Sequence, residues 1–534
     1  MTAGTAPAAP SGSAPAASSG RAVGQPDEAE RRDSARSGVL GLLGAATSGL
    51  FGFLLAVVIT RGYGPTGSGV FFAAIGVITV ATAVCTLGAE TGLLWALPRR
   101  RAAGGREDAA RMLPVALLPP FVVAVVVALA GFFAADSLAP RVFGPAAGSA
   151  LLTVSFAAVP VVVLLTLLLA ALRCVRPIRA YVSVQFFLLP VARPVLVGVA
   201  VLVGGGLVAG VSAWLVPAAL ALLVCLVLVA GPLRIGRGAR LRPEPRDWST
   251  FWRFALPRAV SAAIDAGNLW IGVLLTSALA GAEEAGVFGA VGRYVLAGQL
   301  AIQGLRVTVA PRLSRLLGAG QPALAAAVHR QLTTWGLVLS WPVYLLLAVF
   351  GVAFLELFGP GFTAGATGLT VLALAMLVRT GAGNVQSLLL MGGRSGLHLA
   401  ATLGGLLVTV SLGLVWIPGH GATGAAMAWA AGILTENLTA GTCAWLVVRH
   451  PLVDPAMLRA AAITAAVVAA AAGVGVLVGG RGIPGLLVAV AVLAVGGVGT
   501  LSRIRPVVGA FLRQLRGGGA AVPAAPGLPE QKDR

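Results

Sequence analysis

Residues 357–371 read LFGPGFTAGATGLTV, and residues 142–154 read VFGPAAGSALLTV, 215 positions earlier. Each stretch places Phe-Gly-Pro before a run of small residues and the start of an apolar segment. Two further echoes keep nearly the same offset. Gly69–Phe71, within SGVFFAAIGV, returns as Gly286–Phe288 within AGVFGAVGRY, and Arg176 returns as Arg394. Three matches in chain order, at offsets of 215 to 218 residues, predict two copies of one structural unit.

What the unit is made of follows from composition. The 534 residues are 58% hydrophobic and only 10% charged, with a mean hydropathy of +0.93. Soluble chains carry about 25% charged residues, so most of this one lies in a solvent other than water. Continuously apolar stretches of about 20 residues recur throughout, the length of a helix crossing roughly 30 Å of hydrocarbon. They do not alternate as barrel strands would. The expected class is an all-α, polytopic membrane protein of about fourteen spans, near 38–60, 69–97, 112–134, 148–172, 181–203, 208–230, 251–279, 285–310, 331–356, 366–391, 396–417, 421–448, 460–479 and 484–502.

The two echoes then delimit two six-helix repeats, 38–230 and 251–448. A basic linker (231–250) joins them, and two extra helices follow within 449–505. Tails at 1–37 and 506–534, rich in Ala, Pro, Ser and Gly, are expected to be disordered. Six is even, so both copies insert with the same orientation, related by an axis along the membrane normal.

Formal net charge is +20. Its distribution reads as orientation rather than nucleic-acid binding. The tails and even-numbered loops hold most of the 38 basic residues, including RCVRPIR and RIGRGARLRPEPRDW, whereas the opposite side holds Arg61, Arg141 and Arg481. Both termini are therefore expected in the cytoplasm of a bacterial cell. Arginine supplies all but Lys532 of the basic side chains, which reads as coding bias rather than as individual functional choices. Cys85, Cys174, Cys225 and Cys443 lie far apart, with no C-x-x-C and no ligand-spaced histidine. Neither a disulfide framework, nor a metal, nor a cofactor is expected.

Ionisable groups inside hydrocarbon cost at least about 2.5–3.5 kcal/mol each and face a cavity or a partner. Arg258, Ser261, Asp265 and Asn268 follow helical spacing in span seven. Thr79, Thr82, Thr86 and Glu90 do so in span two. Gln299, Gln303 and Arg306, with Arg293 nearer the outer end, mark span eight. Arg379 and Gln386 mark span ten, and Arg193 and Glu436 complete the set. Helices one, two, seven and eight are where a cleft between the copies would be lined. Interhelical ion pairing, such as Arg258 or Arg306 with Glu90 or Asp265, is the competing explanation. Arg193, which precedes Pro194, equally suits snorkelling or backbone capping. Glu356, at a helix end, reads as interfacial.

Five of these groups are arginines against three carboxylates. A guanidinium stays charged and offers a planar fork suited to phosphate oxygens. The set fits an amphiphile with a diphosphate and a glycan head, Gln, Asn and Thr meeting sugar hydroxyls. A membrane potential negative inside favours its outward passage by roughly 2.3 kcal/mol per charge per 100 mV, and there is no G-x-x-x-x-G-K-[ST] nucleotide loop. An ion-coupled drug extruder would instead rely on Asp265 or Glu90. A membrane enzyme would need acid/base groups in sizeable outer loops. These loops are short, with Asp136, Arg141, Glu283, Glu284 and His420, and no catalytic residue is assigned.

Thr60–Gly92, TRGYGPTGSGVFFAAIGVITVATAVCTLGAETG, resembles the first-loop and second-helix signature of polysaccharide-exporting flippases. FWRFALPRAVSAAIDAGNLWIG and AGVFGAVGRYVLAGQLAIQGLRVTVAPRLSRL are similar to the same family, the Wzx-type polysaccharide biosynthesis branch of the MOP exporter superfamily. That superfamily also holds lipid II flippases and multidrug extruders. The resemblance implies alternating access to a polyprenyl-diphosphate-linked glycan, membrane lipids and glycan-assembly enzymes as partners, and no nucleic acid. It also implies that the last two helices border a groove for the lipid tail.

Overall fold

A computed structural model describes residues 28–144, 148–233, 242–298, 313 and 316–496. Among them there are helices and no strands. In chain order these are α1 (Glu28–Cys85), α2 (Ala89–Ala110), α3 (Met112–Phe143), α4 (Ser149–Val175), α5 (Ile178–Leu202), α6 (Leu207–Ala230), α7 (Pro245–Ala280) and α8 (Ala282–Ala297). Then follow α9 (Pro322–Val349), α10 (Gly351–Glu356), α11 (Ala366–Ala382), α12 (Val385–Met391), α13 (Ser395–Val448), α14 (Pro455–Gly479) and α15 (Ile483–Gly496).

Nine stretches of the described residues are long and apolar enough to cross a membrane. Two of these, in α1 and α13, are bent pairs. Gly64 (φ 66°) breaks α1 just before Pro65, and Gly421 (φ 53°) breaks α13 after Pro418. A residue without Cβ takes that left-handed conformation at no steric cost, so one helix reverses into the next without a loop. With these breaks the described helices are consistent with about fourteen spans, of which 285–310 and 484–502 run beyond the described residues.

Two expectations need correction. α1 begins at Glu28, inside the segment expected to be disordered; EAERRDSAR is rich in good helix formers and runs directly into the first span. Span two is also not one continuous helix. It breaks after Cys85, and Leu87 (φ 51°) and Gly88 (φ 72°) both adopt left-handed backbone before α2 starts. Thr79 and Thr82 therefore share a helix that Glu90 does not, and Thr86 lies in the turn between the two helices. The break permits close packing, since a Cβ on Gly88 would lie 2.3 Å from the Ala255 carbonyl oxygen of α7.

The echo of Phe-Gly-Pro is structural. Phe143 and Phe358 are both buried, and the glycine after each turns left-handed, Gly144 at φ 83° and Gly359 at φ 113°. Each aromatic ring anchors the end of a helix and each glycine releases the chain toward the next. The Phe358 ring packs 5.2 Å from Tyr294 and 5.5 Å from Phe53.

The copies meet at the second echo. Gly69, in the second arm of α1, crosses Gly286 of α8. A Cβ on Gly286 would fall 2.1 Å from the Pro65 carbonyl oxygen, and one on Gly69 would fall 1.6 Å from that of Ala282. Repeat-equivalent positions that touch each other lie beside the axis relating the copies. Small residues are what membrane helices use for such backbone approach. A core of Phe71, Phe72, Ile78, Phe288, Val291, Leu369 and Ile417 extends across this crossing. α14 and α15 pack outside it, through Val468, Ala472 and Ala489 against Leu346 and Phe350.

Candidate functional site

The crossing holds α1, α7 and α8 close together, and immediately below it a pocket opens. Its empty space, mouth included, is about 300 Å³. The walls are Trp270 and Val273 of α7, Phe288, Gly289, Gly292, Arg293 and Leu296 of α8, and Trp429 of α13. Arg293 lies eleven residues inside α8 from Ala282, roughly 16 Å along the axis at 1.5 Å per residue.

Arg293 is held by rings. Its guanidinium carbon is 5.1 Å from the Phe72 centroid and 5.2 Å from that of Trp270. Phe288 and Trp429 meet edge to face at 5.9 Å on another wall. A ring face attracts a cation through its quadrupole, by about 2 kcal/mol or more when both are desolvated. It carries no net charge, however, so the cation remains available to an anion.

Among the described residues, the ion pairs are Arg100–Asp247, Arg111 with Glu244 (3.0 Å) and Asp108 (3.7 Å), and Arg330–Asp454 (3.2 Å). None involves Arg193, Arg258, Arg293 or Arg379. Arg193 does not snorkel; its guanidinium lies 4.1 Å from the Trp214 centroid, and its buried Nε has no partner among the described residues.

The remaining sequence candidates separate into groups. Arg258 is exposed and folds back over Phe254, 3.9 Å from the ring centroid, with Nη1 donating to the Phe254 carbonyl at 3.2 Å. Phe254 stacks on Trp95 at 4.4 Å, and Arg99 covers the far face of that pair by lying 4.7 Å from Trp95. Arg258 thus belongs to a seam between α2 and α7 and not to the lining of the Arg293 pocket. Trp95, Arg99 and Phe254 were not singled out in the sequence because their partners are 159 positions apart in the chain.

Thr86 Oγ1 donates to the Ala83 carbonyl at 2.8 Å, helping end α1. Thr79 bonds back to Ile75 at 2.8 Å, and the buried Thr82 hydroxyl has no partner among the described residues. Glu90 is exposed in the first turn of α2. Arg379 is half-buried in the last turn of α11. Gln386 is engaged elsewhere: its Nε2 donates to Glu436 Oε1 at 2.6 Å, and Thr402 Oγ1 donates to the same oxygen at 3.4 Å. Glu356 is exposed, and its carbonyl accepts from Arg61 Nη2 at 3.5 Å. Gln299, Gln303 and Arg306 lie outside the described residues. Asp265 and Asn268 are on α7, with side chains outside what is described.

Among the candidates whose side chains are described, Arg293 is the one that lines the pocket. Its aromatic walls went unnoticed, although one signal was present: Trp270 and Trp429 sit well inside their spans, away from the interfacial belts where tryptophan is usual.

A family model described as polysaccharide biosynthesis protein matches residues 35–317. No curated protein sequence matches the chain. Solved structures share its fold, three of them as follows. The lipid II flippase MurJ, in an inward closed conformation, superposes with a TM-score of 0.67 at 11% identity, covering 85% of this chain and 98% of that one. An inward-facing multidrug resistance MATE family transporter of the MOP superfamily gives 0.59 at 18% identity, covering 75% and 94%. A MOP superfamily transporter from Pyrococcus furiosus gives 0.54 at 16% identity, covering 78% and 96%. With the family model spanning more than half its length, the chain belongs to the polysaccharide biosynthesis protein family, and its multi-pass fold is that of the MOP superfamily of transporters.

Proposed function

We infer that this transporter is a flippase for a polyprenyl-diphosphate-linked oligosaccharide, moving it across the bacterial cytoplasmic membrane by alternating access between the lobes 38–230 and 251–448. The observation that carries this reading is Arg293, a cation held by aromatic rings in a pocket beside the inter-repeat crossing. Its planar fork suits the diphosphate, the rings offer apolar faces to sugars, and the polyprenyl tail stays in lipid. With both termini in the cytoplasm, the membrane potential drives the anionic head outward without ATP. The glycosyltransferases that build the head and a polymerase that consumes it are the expected partners. Lipid II, also a diphosphate-linked glycan, satisfies the same chemistry.

The test is glycan export in a strain lacking the chromosomal copy, complemented by variants present in the membrane at equal amounts. Arg293→Gln is expected to abolish export and accumulate the lipid-linked precursor, while Arg293→Lys retains part of the function. Export by Arg293→Gln at the level of the unaltered protein overturns the reading. One observation favours a second reading, an H⁺- or Na⁺-coupled extruder: the buried Glu436 carboxylate, which Gln386 and Thr402 hold. Loss of drug resistance in Glu436→Gln, with glycan export intact, would establish it instead.

A further inference from the structure

The two copies differ where the pocket lies. Aligned on Gly69 and Gly286, the first copy continues Phe72-Ala73-Ala74-Ile75-Gly76, and the second continues Gly289-Ala290-Val291-Gly292-Arg293. The second copy therefore has glycine in place of Phe72 and of Ile75, and arginine in place of Gly76. Space appears at two positions and a cation beside it. Every residue lining the pocket belongs to the second copy.

The cover comes from the first. Phe72, fully buried, projects from α1 onto α8 into the room left by the glycine that replaces it. A Cβ on Gly289 would lie 2.4 Å from Phe72 Cδ2. The same ring approaches the Arg293 guanidinium to 5.1 Å. Even with its mouth included, the empty space of about 300 Å³ is too small for a diphosphate bearing several sugars. The head enters only if a wall moves. Phe72 is a cover carried by the other repeat, so parting the repeats withdraws it and leaves Arg293 in place with its own walls intact.

We propose that Phe72 is a displaceable lid on Arg293: its ring occupies the cation while the repeats are apposed, and the phosphorylated head of the substrate takes its place as they separate. Phe72 is then a positioning residue that links occupancy of the site to the arrangement of the lobes. This rests on the reading of Arg293 as the phosphate-binding group. A ring that competes with the ligand must weaken binding. Removing it therefore strengthens binding, which is the opposite of what damage to a packed core does.

The experiment is calorimetric titration of the full-length protein in detergent with inorganic diphosphate. Phe72→Leu is expected to bind about 3- to 30-fold more tightly than the unaltered protein, the range of a partly to fully desolvated cation–ring contact. Phe72→Tyr, which keeps a ring face, stays within about twofold. If Phe72→Leu is poorly folded, Phe72→Met retains bulk without a ring and carries the same expectation. Unchanged or weaker binding in the folded ringless variant, with Arg293→Gln still abolishing binding, overturns the lid and leaves the phosphate site standing. Binding by Arg293→Gln equal to that of the unaltered protein overturns both.

Discussion

A single methyl group tests the inter-repeat crossing. In Gly69→Ala the new Cβ would lie 1.6 Å from the Ala282 carbonyl oxygen and 2.7 Å from the Gly286 nitrogen. Side-chain Cβ atoms essentially never approach closer than 3.0 Å, so α1 and α8 must part by at least about 1.4 Å at this point. Both obstructing atoms are backbone within α8 or at its start, and no rotamer change relieves the clash. Overpacking of this kind costs about 1–3 kcal/mol or more, while Gly→Ala in a helix interior gains up to about 1 kcal/mol. Gly404→Ala, with open space around its Cβ, receives the gain without the clash. Thermal unfolding in detergent micelles should then show opposite signs: a lower midpoint for Gly69→Ala and an unchanged or higher one for Gly404→Ala. Flux should fall with Gly69→Ala, because the outer ends of the repeats no longer close. Equal melting and equal flux in the two variants would refute the crossing and the axis drawn through it.

Further outcomes follow from side-chain geometry. Asp247 is buried, pairs with Arg100 and accepts from the Glu244 backbone N–H at 3.0 Å in a capping box at the start of α7. Asp247→Ala should therefore lower the unfolding midpoint more than Arg100→Ala, by the equivalent of about 1 kcal/mol for the lost cap. Glu284 Oε2 accepts from the Ala422 N–H at 2.7 Å, capping the second arm of α13 just after Gly421. Glu284→Ala should cost about 0.5–2 kcal/mol, and Glu284→Gln, which keeps an acceptor, less, as read by chemical denaturation in micelles. Trp95→Ala removes the ring between Arg99 and Phe254. A cysteine placed at Ala255 for thiol labelling from the cytoplasmic side should then react faster than in the protein with Trp95 intact. Leu87→Gly relieves left-handed backbone strain at a non-glycine position and should leave stability unchanged or raise it by up to about 1 kcal/mol; a clear loss would show that the Leu87 side chain matters more than its conformation.

Much of the architecture could be read directly from the chain. Uninterrupted apolar runs specify helices in lipid because no other open structure satisfies the backbone there. The Phe-Gly-Pro echo and the Gly69/Gly286 echo identified the two copies and pointed to residues that prove to be a matched pair of helix ends and a point of contact. Breaks at Gly64, Gly88 and Gly421 were less legible. Glycine is common throughout this chain, and a left-handed turn differs from an ordinary helical glycine only in what its neighbours require. The polar stripes included Arg293, which lines the pocket, but could not separate it from Arg258, since helical spacing describes one helix and says nothing of which neighbour it faces.

Helical identity, span count, the repeat and the asymmetry of charge were determined by the sequence itself, because hydrophobic length, turn chemistry and loop charge act locally along the chain. Only the tertiary structure decided that Arg293 meets Phe72 and Trp270, that Arg258 covers Phe254 where it stacks on Trp95, and that Gln386 holds Glu436. Those pairings join residues from 4 to 221 positions apart, and the one between Arg293 and Phe72 exists because glycines, Gly69, Gly286 and Gly289, let the two copies approach to within a side chain's width.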